Sequence, residues 1–251
     1  MPDIIPGVNL QSSNSSPMIN IFIGYDPREA VAYHVCANSI IRHSSAPVAL
    51  HPLSLNNLRA YYAEKHTDGS NQFIYSRFLT PLLMDFKGWA IFMDGDMLVR
   101  DDIVKLWEMR DPSKAVMVVK HDYKTRMQQK YLGAKNEDYP RKNWSSVILW
   151  NCGHEANKAL TAEFVQNATG AQLHRFTWLE DDLIGELPKV WNWLPDEFGA
   201  NPDAKLLHWT LGTPSFHEFS DEPMASEWHR ERILTDYCLQ RDLDSPNTLS
   251  K

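Results

Sequence analysis

The chain has 251 residues, is 43% hydrophobic and carries a formal net charge of -7 at pH 7. This length fits one large domain, or one domain with a small appendage, and the hydrophobic fraction allows a sizeable core. The acidic balance, without a long basic run, argues against nucleic acid or an anionic membrane surface as the main partner, and no apolar stretch approaches the about 20 residues of a transmembrane helix.

The amino terminus and the cysteines bear on location. Residues 1–18 are rich in Ser, Asn and Pro and lack the basic start and apolar centre of a secretory signal, so we expect a flexible leader. Cys36, Cys152 and Cys238 are odd in number and have no metal-binding spacing. This pattern favours a reducing compartment, and a cytoplasmic location is predicted.

The first predicted unit is a strand, a tight turn and a helix. Residues 19–24, INIFIG, form an apolar run typical of a buried strand. Asp26 is a good helix N-cap, Pro27 suits the first helical position, and Glu29 completes a capping box before an apolar helix face over 32–40. Because ligands of open α/β sheets bind at the carboxyl ends of strands, Asp26 can cap the helix or bind a ligand, and capping is favoured.

The following elements alternate in type. Further strands are predicted at 48–50, 89–93, 115–119, 147–150 and 205–209, with a Trp-rich strand and turn at 190–198. Helices are predicted at 55–65, 73–84, 103–107, 156–165 and 226–239. Loops are predicted at 67–71, 123–142 and 210–216, the second of them mobile. This order indicates an α/β fold with a mostly parallel sheet.

The chain is organised around WAIFMDGDMLVRDD, residues 89–102. A buried strand runs directly into Asp94 and Asp96, whose carboxylates point the same way if the backbone stays extended. Gly95 between them avoids crowding and lets the chain bend. Carboxylates flanked by core sequence cost free energy unless a positive charge lies between them, and a divalent cation that also holds phosphates would supply it. The alternative is an ordinary Asp-Gly turn that joins two strands in a hairpin.

Five segments resemble, in order and separation, the GT-A glycosyltransferases, and most closely family 8, which includes glycogenin and bacterial lipooligosaccharide galactosyltransferases. The segments are 24–26, 74–78, 94–96, 147–151 and 208–214. The resemblance implies a GT-A fold, with a Rossmann-like, mostly parallel central sheet flanked by helices. It also implies a single catalytic domain over 19–220, followed by a C-terminal helix and tail over 221–251.

The resemblance also implies a metal site and a donor site. Asp94 and Asp96 match the family's D-x-D motif, and His208 matches its third metal ligand, although a lone histidine in a strand is more often a core residue. Hard oxygen ligands suit Mg²⁺ or Mn²⁺, and the imidazole favours Mn²⁺. The match implies a set of nucleotide-sugar-binding residues, to which we add Asp122 after strand 115–119. The full set is Gly24, Tyr25, Asp26, Arg77, Asp94, Gly95, Asp122 and Gly212.

Three departures from the family pattern affect the chemistry. Thr213 stands near the place of a phosphate-neutralising lysine, so diphosphate binding must rely more on the metal and on Arg77. Asn143 lies one place early relative to the strand at 147. Asp181 stands where the family often has glutamine, beneath the sugar. It can stabilise the transition state, form a covalent intermediate or act as a base, with Asp182 competing for these roles. The structural alternative is that the acidic cluster, residues 180–182, begins a helix, where acidic side chains are favoured by the helix dipole.

The sequence therefore predicts a metal-dependent glycosyltransferase that moves a sugar from a nucleotide sugar to a glycan or other hydroxyl acceptor. We expect UDP as the nucleotide and retention at the anomeric carbon. One of five tryptophans near the site segments is expected to contact a sugar. They are Trp144, Trp178, Trp191, Trp193 and Trp209. The alternatives are a non-catalytic carbohydrate- or nucleotide-binding protein of the same fold, and a sugar nucleotidyltransferase, although the Gly-rich basic loop of the latter is missing after the first strand.

Overall fold

The structure is a computed structural model that describes residues 18–236. The predicted leader, apart from Met18, and the tail after residue 236 lie outside the described residues. The strands are β1 Ile19–Gly24, β2 Val48–Leu53, β3 Trp89–Met93, β4 Met97–Val99, β5 Val116–Val118, β6 Val147–Asn151, β7 Ile184–Glu186 and β8 Leu206–His208.

Six strands form the central sheet, in the order β2-β1-β3-β6-β5-β7. All of them run in one direction except β6, which is antiparallel to both of its neighbours. Because β6 is reversed, its first residue, Val147, pairs with Met93, the last residue of β3. The predicted α/β fold with a mostly parallel sheet is thus confirmed.

Helices cover both faces of this sheet. They are α1 Ala30–Arg42, α2 Leu55–Leu58, α3 Thr80–Leu83, α4 Ile103–Trp107, α5 Ala162–Asn167, α6 Gly170–His174, α7 Pro195–Phe198 and α8 Ala225–Thr235. Alternation along β3 sends Phe92 into one core and Ile91 and Met93 into the other. Within residues 18–236, no helix combines the length and hydrophobicity needed to span a membrane.

The chain segment around Asp94-Gly95-Asp96 leaves the central sheet. β3 ends before Asp94, and β4, which begins after Asp96, pairs with β8 in a separate antiparallel ribbon. In this ribbon Met97 lies opposite His208. The hairpin interpretation of the Asp-Gly turn is therefore wrong, because the two strands that flank it do not pair with each other.

Several predicted elements differ from those observed. The helix predicted at 55–65 stops at Leu58, and its two consecutive asparagines are weak helix formers. The helix predicted at 156–165 is instead a 3₁₀ helix, Glu155–Ala159, followed by α5. The strand predicted at 190–198 is a 3₁₀ helix, Lys189–Asn192, followed by α7, which begins at Pro195. For the predicted terminal helix, the positions after 236 lie outside the described residues.

Gly95 allows a very close approach between two backbone segments. A Cβ atom built on Gly95 would lie 2.3 Å from the carbonyl oxygen of Gly24, at the end of β1. Backbone atoms cannot rotate away from such a clash as the end of a flexible side chain can. The turn that carries both carboxylates is therefore fixed against the first strand.

We expect Gly95→Ala to destabilise the fold by about 1–3 kcal/mol, the usual cost of overpacking. For a domain of this size, each kcal/mol lowers Tm by about 2–4 °C, which thermal unfolding would detect. Gly153→Ala is the control, because its added Cβ would lie 3.5 Å from the nearest heavy atom, the amide nitrogen of Gly88. Equal Tm values for the two variants would contradict the proposed role of Gly95.

Candidate active site

A small, partly enclosed cavity of about 70 Å³ lies beyond the carboxyl end of β3. It brings together four residues that the sequence predicted as functional, namely Arg77, Asp94, Asp96 and His208. The other lining residues are Ser70, Asn71, Ile74, Lys130, Tyr131, Tyr139, Asn143, Ser145, Ser146, His174 and Thr210.

Strand pairing explains why three possible metal ligands meet here. Asp94 follows β3, Asp96 precedes β4, and the β4–β8 pairing brings His208 beside them. His208 Nε2 lies 3.4 Å from Asp96 Oδ1 and 3.9 Å from Asp94 Oδ2. One ligand atom from each of the three residues fits within 4.8 Å of the others, so the cluster is compatible with metal binding.

Asn192 fixes the orientation and the tautomer of His208. The side-chain nitrogen of Asn192 donates to Ser146 Oγ at 2.8 Å and to the carbonyl oxygen of Asn143 at 3.4 Å. Its side-chain oxygen must then face His208 Nδ1, 3.0 Å away, and can only accept a hydrogen bond. Nδ1 therefore carries a hydrogen, and Nε2 is the atom available to a cation.

The charges in the cluster are strongly coupled. Burial raises the pKa of Asp94 to about 6, although the nearby Arg77 lowers it. Burial also raises the pKa of Asp96, but the charge and hydrogen bond of His208 outweigh that effect and hold it below its ordinary value. Burial lowers the pKa of His208, and the carboxylates of Asp96 and Asp94 more than offset it, so the net shift is upward.

The ligand types in the cluster and its buried carboxylate oxygens both fit a divalent cation. Asp94 Oδ1 and Asp96 Oδ1 are buried, and within residues 18–236 their nearest positive groups are Arg77 Nη1 at 2.7 Å and His208 Nε2 at 3.4 Å, neither in good hydrogen-bond geometry. Two carboxylates and one imidazole with a free Nε2 are ligands that Mn²⁺ or Mg²⁺ accepts. A cation among them would satisfy both oxygens at once.

Arg77 forms a buried ion pair with Asp94. Its Nη1 lies 2.7 Å from Asp94 Oδ1 and donates to the carbonyl oxygen of Ser145 at 2.9 Å, while its Nε donates to the carbonyl oxygen of Ile74 at 3.1 Å. The guanidinium also lies over the ring of Phe92, 5.1 Å from its centroid. Sequence reasoning assigned Arg77 to the donor. The structure places it in the cavity wall, where it pairs with Asp94.

The first turn has mainly a structural role in this conformation. Asp26 accepts a hydrogen bond from the amide nitrogen of Arg28 at 2.9 Å and forms an ion pair with that side chain at 2.6 Å, so the capping interpretation is confirmed. The predicted capping box is not formed, because the carboxyl of Glu29 instead accepts a hydrogen bond from the hydroxyl of Tyr131. Tyr25 packs edge-on against Tyr33, 5.3 Å between ring centroids.

Three other predicted donor residues also lie outside the cavity lining. Asp122 is exposed. Gly24 packs against the ring of Phe73, so that a Cβ there would lie 2.3 Å from it. A Cβ on Gly212 would lie 2.5 Å from Phe219 and 3.0 Å from Tyr131 Cβ, so this backbone is covered by neighbouring side chains. Their roles in donor binding stay predictions.

The predicted catalytic carboxylates lie at the protein surface. Asp181 and Asp182 begin a short 3₁₀ helix, Asp181–Leu183, in agreement with the helix-start interpretation. The side chain of Asp181 is 86% exposed and pairs with Arg141 Nη2 at 2.5 Å. Neither carboxylate lines the cavity in this conformation.

Sequence reasoning missed most of the polar wall opposite the metal cluster. Ser145 Oγ lies 2.7 Å from His174 Nδ1, and His174 Nε2 is buried without a hydrogen-bond partner. Burial and the charge of Arg77 lower the pKa of His174 to about 3, so its ring is neutral. His174 ends α6 in a polar segment, and nothing local in the sequence distinguishes it.

The tryptophans do not line the cavity. Trp191 and Trp209 are fully buried in the cores, and Trp178 stacks on Trp150 with 6.5 Å between ring centroids. Trp144 donates from Nε1 to the carbonyl oxygen of His121 at 2.9 Å. The expected contact between a tryptophan and a sugar therefore stays a prediction.

A long connection closes the cavity from above. We call residues 123–142, between β5 and β6, the strap. Lys130, Tyr131 and Tyr139 of the strap line the cavity. Burial and the charge of Asp96 raise the pKa of Glu29, the partner of Tyr131, to about 8. The strap was predicted as a mobile loop, and the structure shows it seated on the site.

We expect Asp96→Asn to weaken Mn²⁺ binding at least about 100-fold, because it removes a charged ligand and leaves a buried amide, a loss of roughly 2.7 kcal/mol. Mn²⁺ electron paramagnetic resonance titration measures this directly. Asp221→Asn, at an exposed position outside the cavity, is the matched control. Unchanged Mn²⁺ affinity in Asp96→Asn would contradict the assignment of the cluster as a metal site.

The fold is shared with known glycosyltransferases. The glycosyltransferase GlyE of Streptococcus pneumoniae TIGR4 superposes with a TM-score of 0.58 at 14% identity, over 94% of this chain and 66% of GlyE. The galactosyltransferase LgtC, solved with donor and acceptor sugar analogs, superposes with a TM-score of 0.51 at 12% identity, over 85% of this chain and 95% of LgtC. The chain thus spans slightly less than two thirds of GlyE, and the predicted GT-A fold is confirmed.

Sequence comparison adds a closer relative. No protein-family model matches the chain. Protein CDI of Arabidopsis thaliana is 45% identical over 231 residues, which cover 89% of this chain and 89% of that protein. Identity at this level, over nearly the full length of both chains, accompanies a shared fold and a shared ancestry. The chain belongs to the family of Protein CDI and has the GT-A fold of glycosyltransferases.

Proposed function

We propose that this protein is a metal-dependent glycosyltransferase that moves a sugar from a nucleotide sugar to a hydroxyl acceptor. The observation that carries the proposal is the convergence of Asp94, Asp96 and His208 in one partly enclosed cavity at the carboxyl edge of a GT-A sheet. Ligands of open α/β sheets bind at this edge. Membership in glycosyltransferase family 8, which five motif segments suggest, is part of the proposal.

A divalent cation held by these three residues would supply Lewis-acid stabilisation of the charge on the departing diphosphate. The chain itself supplies the orientation. Arg77 fixes Asp94 at 2.7 Å, and Asn192 holds the His208 ring at 3.0 Å, so that both ligand groups are positioned before anything binds. Such preorganisation avoids the cost of ordering the ligands during the reaction.

The transfer requires two changes at the anomeric carbon. Its bond to a phosphate oxygen breaks, with the electron pair leaving on the diphosphate, and an acceptor hydroxyl oxygen forms the new bond while its proton passes to the departing diphosphate oxygen. Asn143, Ser145 and His174 line the cavity with neutral polar groups suited to hydrogen-bond a sugar. Neutral donors and acceptors hold hydroxyl groups without adding charge near the reacting carbon.

We retain the proposal that Asp181 stabilises the positive charge that develops on the sugar, with retention at the anomeric carbon. Arg141, its ion-pair partner, belongs to the strap. A movement of the strap that displaces its Arg141 end would release Asp181 for the transfer. Asp182, adjacent on the same 3₁₀ helix, stays the competing residue.

A second candidate is a non-catalytic protein that binds the nucleotide or sugar. The exposed position of Asp181 is the observation that favours it, and the nucleotidyltransferase alternative is disfavoured because the segment after β1 lacks a Gly-rich basic loop. Binding of metal and nucleotide without turnover would identify it. Cys36 and Cys152 are free, buried thiols, which supports the expected reducing, cytoplasmic location that we include in the proposal.

A nucleotide panel tests the donor. We expect Mn²⁺ with UDP to raise Tm more than Mn²⁺ with GDP, ADP or CMP, because the family resemblance implies UDP. At about 100 times Kd, bound ligand adds about 2.7 kcal/mol. For a domain of this size that is on the order of 5–10 °C. Mn²⁺-dependent release of UDP from a UDP-sugar would then establish turnover, and full activity in EDTA would contradict metal dependence.

A series of acidic variants tests the chemical step. We expect Asp181→Asn to lower the rate of transfer about 100-fold or more, as removal of an electrostatic stabiliser does, with nucleotide affinity nearly unchanged. Glu180→Gln, one residue away and also exposed, is the control, and Asp182→Asn distinguishes the competing carboxylate. Proton NMR of the first product reports the anomer. Near-full activity of Asp181→Asn would reduce Asp181 to a partner of Arg141, and an inverted product would exclude retention.

A further inference from the structure

The cavity is too small for the proposed substrate while the strap is closed. Its volume is about 70 Å³, space for about two water molecules, whereas pockets for small ligands span about 300–1,000 Å³. Lys130 and Tyr131 of the strap contribute to the lining, opposite the metal cluster. A nucleotide sugar therefore reaches Asp94 and Asp96 only if the strap moves outward, and the strap can close again over the bound ligand.

The strap is held at the cavity mainly through Tyr131. The amide nitrogen of Tyr131 donates to the carbonyl oxygen of Leu211 at 2.7 Å, and its ring stacks on Phe216 with 4.9 Å between centroids. Its hydroxyl donates to the carboxyl of Glu29. These contacts join the strap to α1 and to the loop after β8, which are the elements on either side of the metal cluster. Tyr131 is therefore the residue that attaches the strap beside the metal cluster, while Arg126 and Arg141 attach it elsewhere through ion pairs with Glu222 and Asp181.

The strap is also bent sharply where it must turn. Leu132 and Gly133, next to Tyr131, have φ angles of 53° and 72°. Arg141 and Asn143, where the strap returns to the sheet, have φ angles of 62° and 60°. Left-handed backbone in residues other than glycine costs free energy and is concentrated at functional sites and switch regions. The bends lie at the tip and at the return of the strap, as expected for a segment that moves as a unit.

Lys130 brings a positive charge into the cavity without a direct hydrogen-bond or ion-pair partner among the described residues. Its side chain is half-buried, and within residues 18–236 its ammonium group forms no hydrogen bond and no ion pair. Of the other three lysines of the strap, Lys124 is exposed and does not line the cavity. Lys142 Nζ donates to Asn136 Oδ1 at 2.5 Å and to the carbonyl oxygen of Glu137, and Lys135, which is 78% exposed, pairs with Glu137. Of the four strap lysines, Lys130 is the one that lines the cavity, and within residues 18–236 its ammonium group has no direct partner.

Arg77, the other cation in the cavity, is already engaged. It pairs with Asp94 and donates to two backbone carbonyl oxygens. Asp94 and Asp96 are balanced by Arg77 and Lys130, so a divalent cation bound with neutral His208 would leave a positive surplus equal to the negative charge of a diphosphate ester. Without Lys130, part of the diphosphate charge would be buried uncompensated, which is costly in a partly enclosed cavity.

We propose that Lys130 is a phosphate-binding residue, carried by the strap onto the diphosphate of the bound nucleotide sugar and held there by the contacts of Tyr131. The inference rests on the proposed function and assigns one further residue to the same site. Lys130 has no part in proton transfer in this proposal. It acts as a fixed positive charge beside the phosphate oxygens, and this charge gains importance as the diphosphate departs.

Isothermal titration calorimetry at saturating Mn²⁺ tests Lys130 with UDP, inorganic pyrophosphate and uridine as probes. We expect Lys130→Met to weaken UDP and pyrophosphate binding about 10- to 100-fold, the range for a lost hydrogen bond to a charged group, and to leave uridine binding unchanged. Lys135→Met, on the same strap but outside the cavity, is the matched control and should bind all three probes as the wild type does. Circular dichroism melting shows whether both variants are folded.

The outcomes distinguish a failure of the proposed function from a failure of the role assigned to Lys130. If the wild type binds neither UDP nor pyrophosphate with Mn²⁺, the proposed function fails and the assignment of Lys130 fails with it. If the wild type binds both and Lys130→Met binds them as tightly as Lys135→Met does, only the role of Lys130 is overturned. Equal weakening of UDP and uridine by Lys130→Met would also overturn it, because the effect would then not involve phosphate.

Limited trypsin digestion tests closure of the strap independently of affinity. Lys135 lies on the exposed side of the strap, so cleavage after it reports how often this segment leaves the protein surface. We expect saturating Mn²⁺ and UDP to slow this cleavage several-fold in the wild type and much less in Lys130→Met at the same occupancy. Cleavage of the wild type at one rate with and without ligand would overturn closure of the strap over the nucleotide.

Discussion

The structure depends most on compensating the negative charge of two carboxylates that are buried side by side at the end of a core strand. Asp94 and Asp96 are separated by one glycine and lie where water cannot solvate them fully. Burying like charges together is among the costliest arrangements in a protein, and it persists only if positive groups compensate it. Arg77 compensates Asp94 directly, and His208 compensates Asp96. A site built in this way is ready to exchange part of that compensation for a metal ion.

The groups that compensate these carboxylates come from segments that are distant in the sequence. His208 arrives through the pairing of β4 with β8, and Asn192 holds its ring from a 3₁₀ helix beyond the central sheet. Asp196 orders the backbone that follows, because its carboxylate accepts a hydrogen bond from the amide nitrogen of Leu211 at 2.6 Å. The ribbon outside the main sheet therefore does more than add a layer. The pairing of β4 with β8 brings His208 to the two aspartates and so completes the cluster.

Local signals in the sequence predicted five of the six strands of the central sheet, and together with the family resemblance they identified the four charged residues Arg77, Asp94, Asp96 and His208 of the cavity. The apolar run of β3 followed by Asp94 and Asp96 predicted a core strand that ends at a charged turn, since few other arrangements place carboxylates between core segments. Periodicity failed over 190–198, because Trp191 and Trp193 suit a strand and a short helix equally well. There, tertiary packing decided: Trp191 enters the core, while Trp193 forms a single bridge with Leu207.

The cavity roof could not be predicted, because its residues have no local pattern. Lys130 and Tyr131 lie in a polar, irregular segment, and their importance comes only from where the strap lands. Glu29 fitted a capping box equally well, and its actual partner is a hundred residues away in the chain. Asp181 was selected by resemblance alone, and in the closed conformation it faces solvent. Long-range contacts of this kind depend on the assembled fold.

The reversed direction of β6 has a consequence for how such a protein can diversify. Because β6 runs against its neighbours, the strap leaves the sheet after β5 and re-enters it at Val147, beside the end of β3, so both of its ends are attached to the same rim. Residues can be inserted or deleted between those two points without shifting the register of any strand. The strap over the cavity can therefore vary in length and composition during evolution, which changes the molecules that can enter, while the residues of the sheet edge beneath it stay in place.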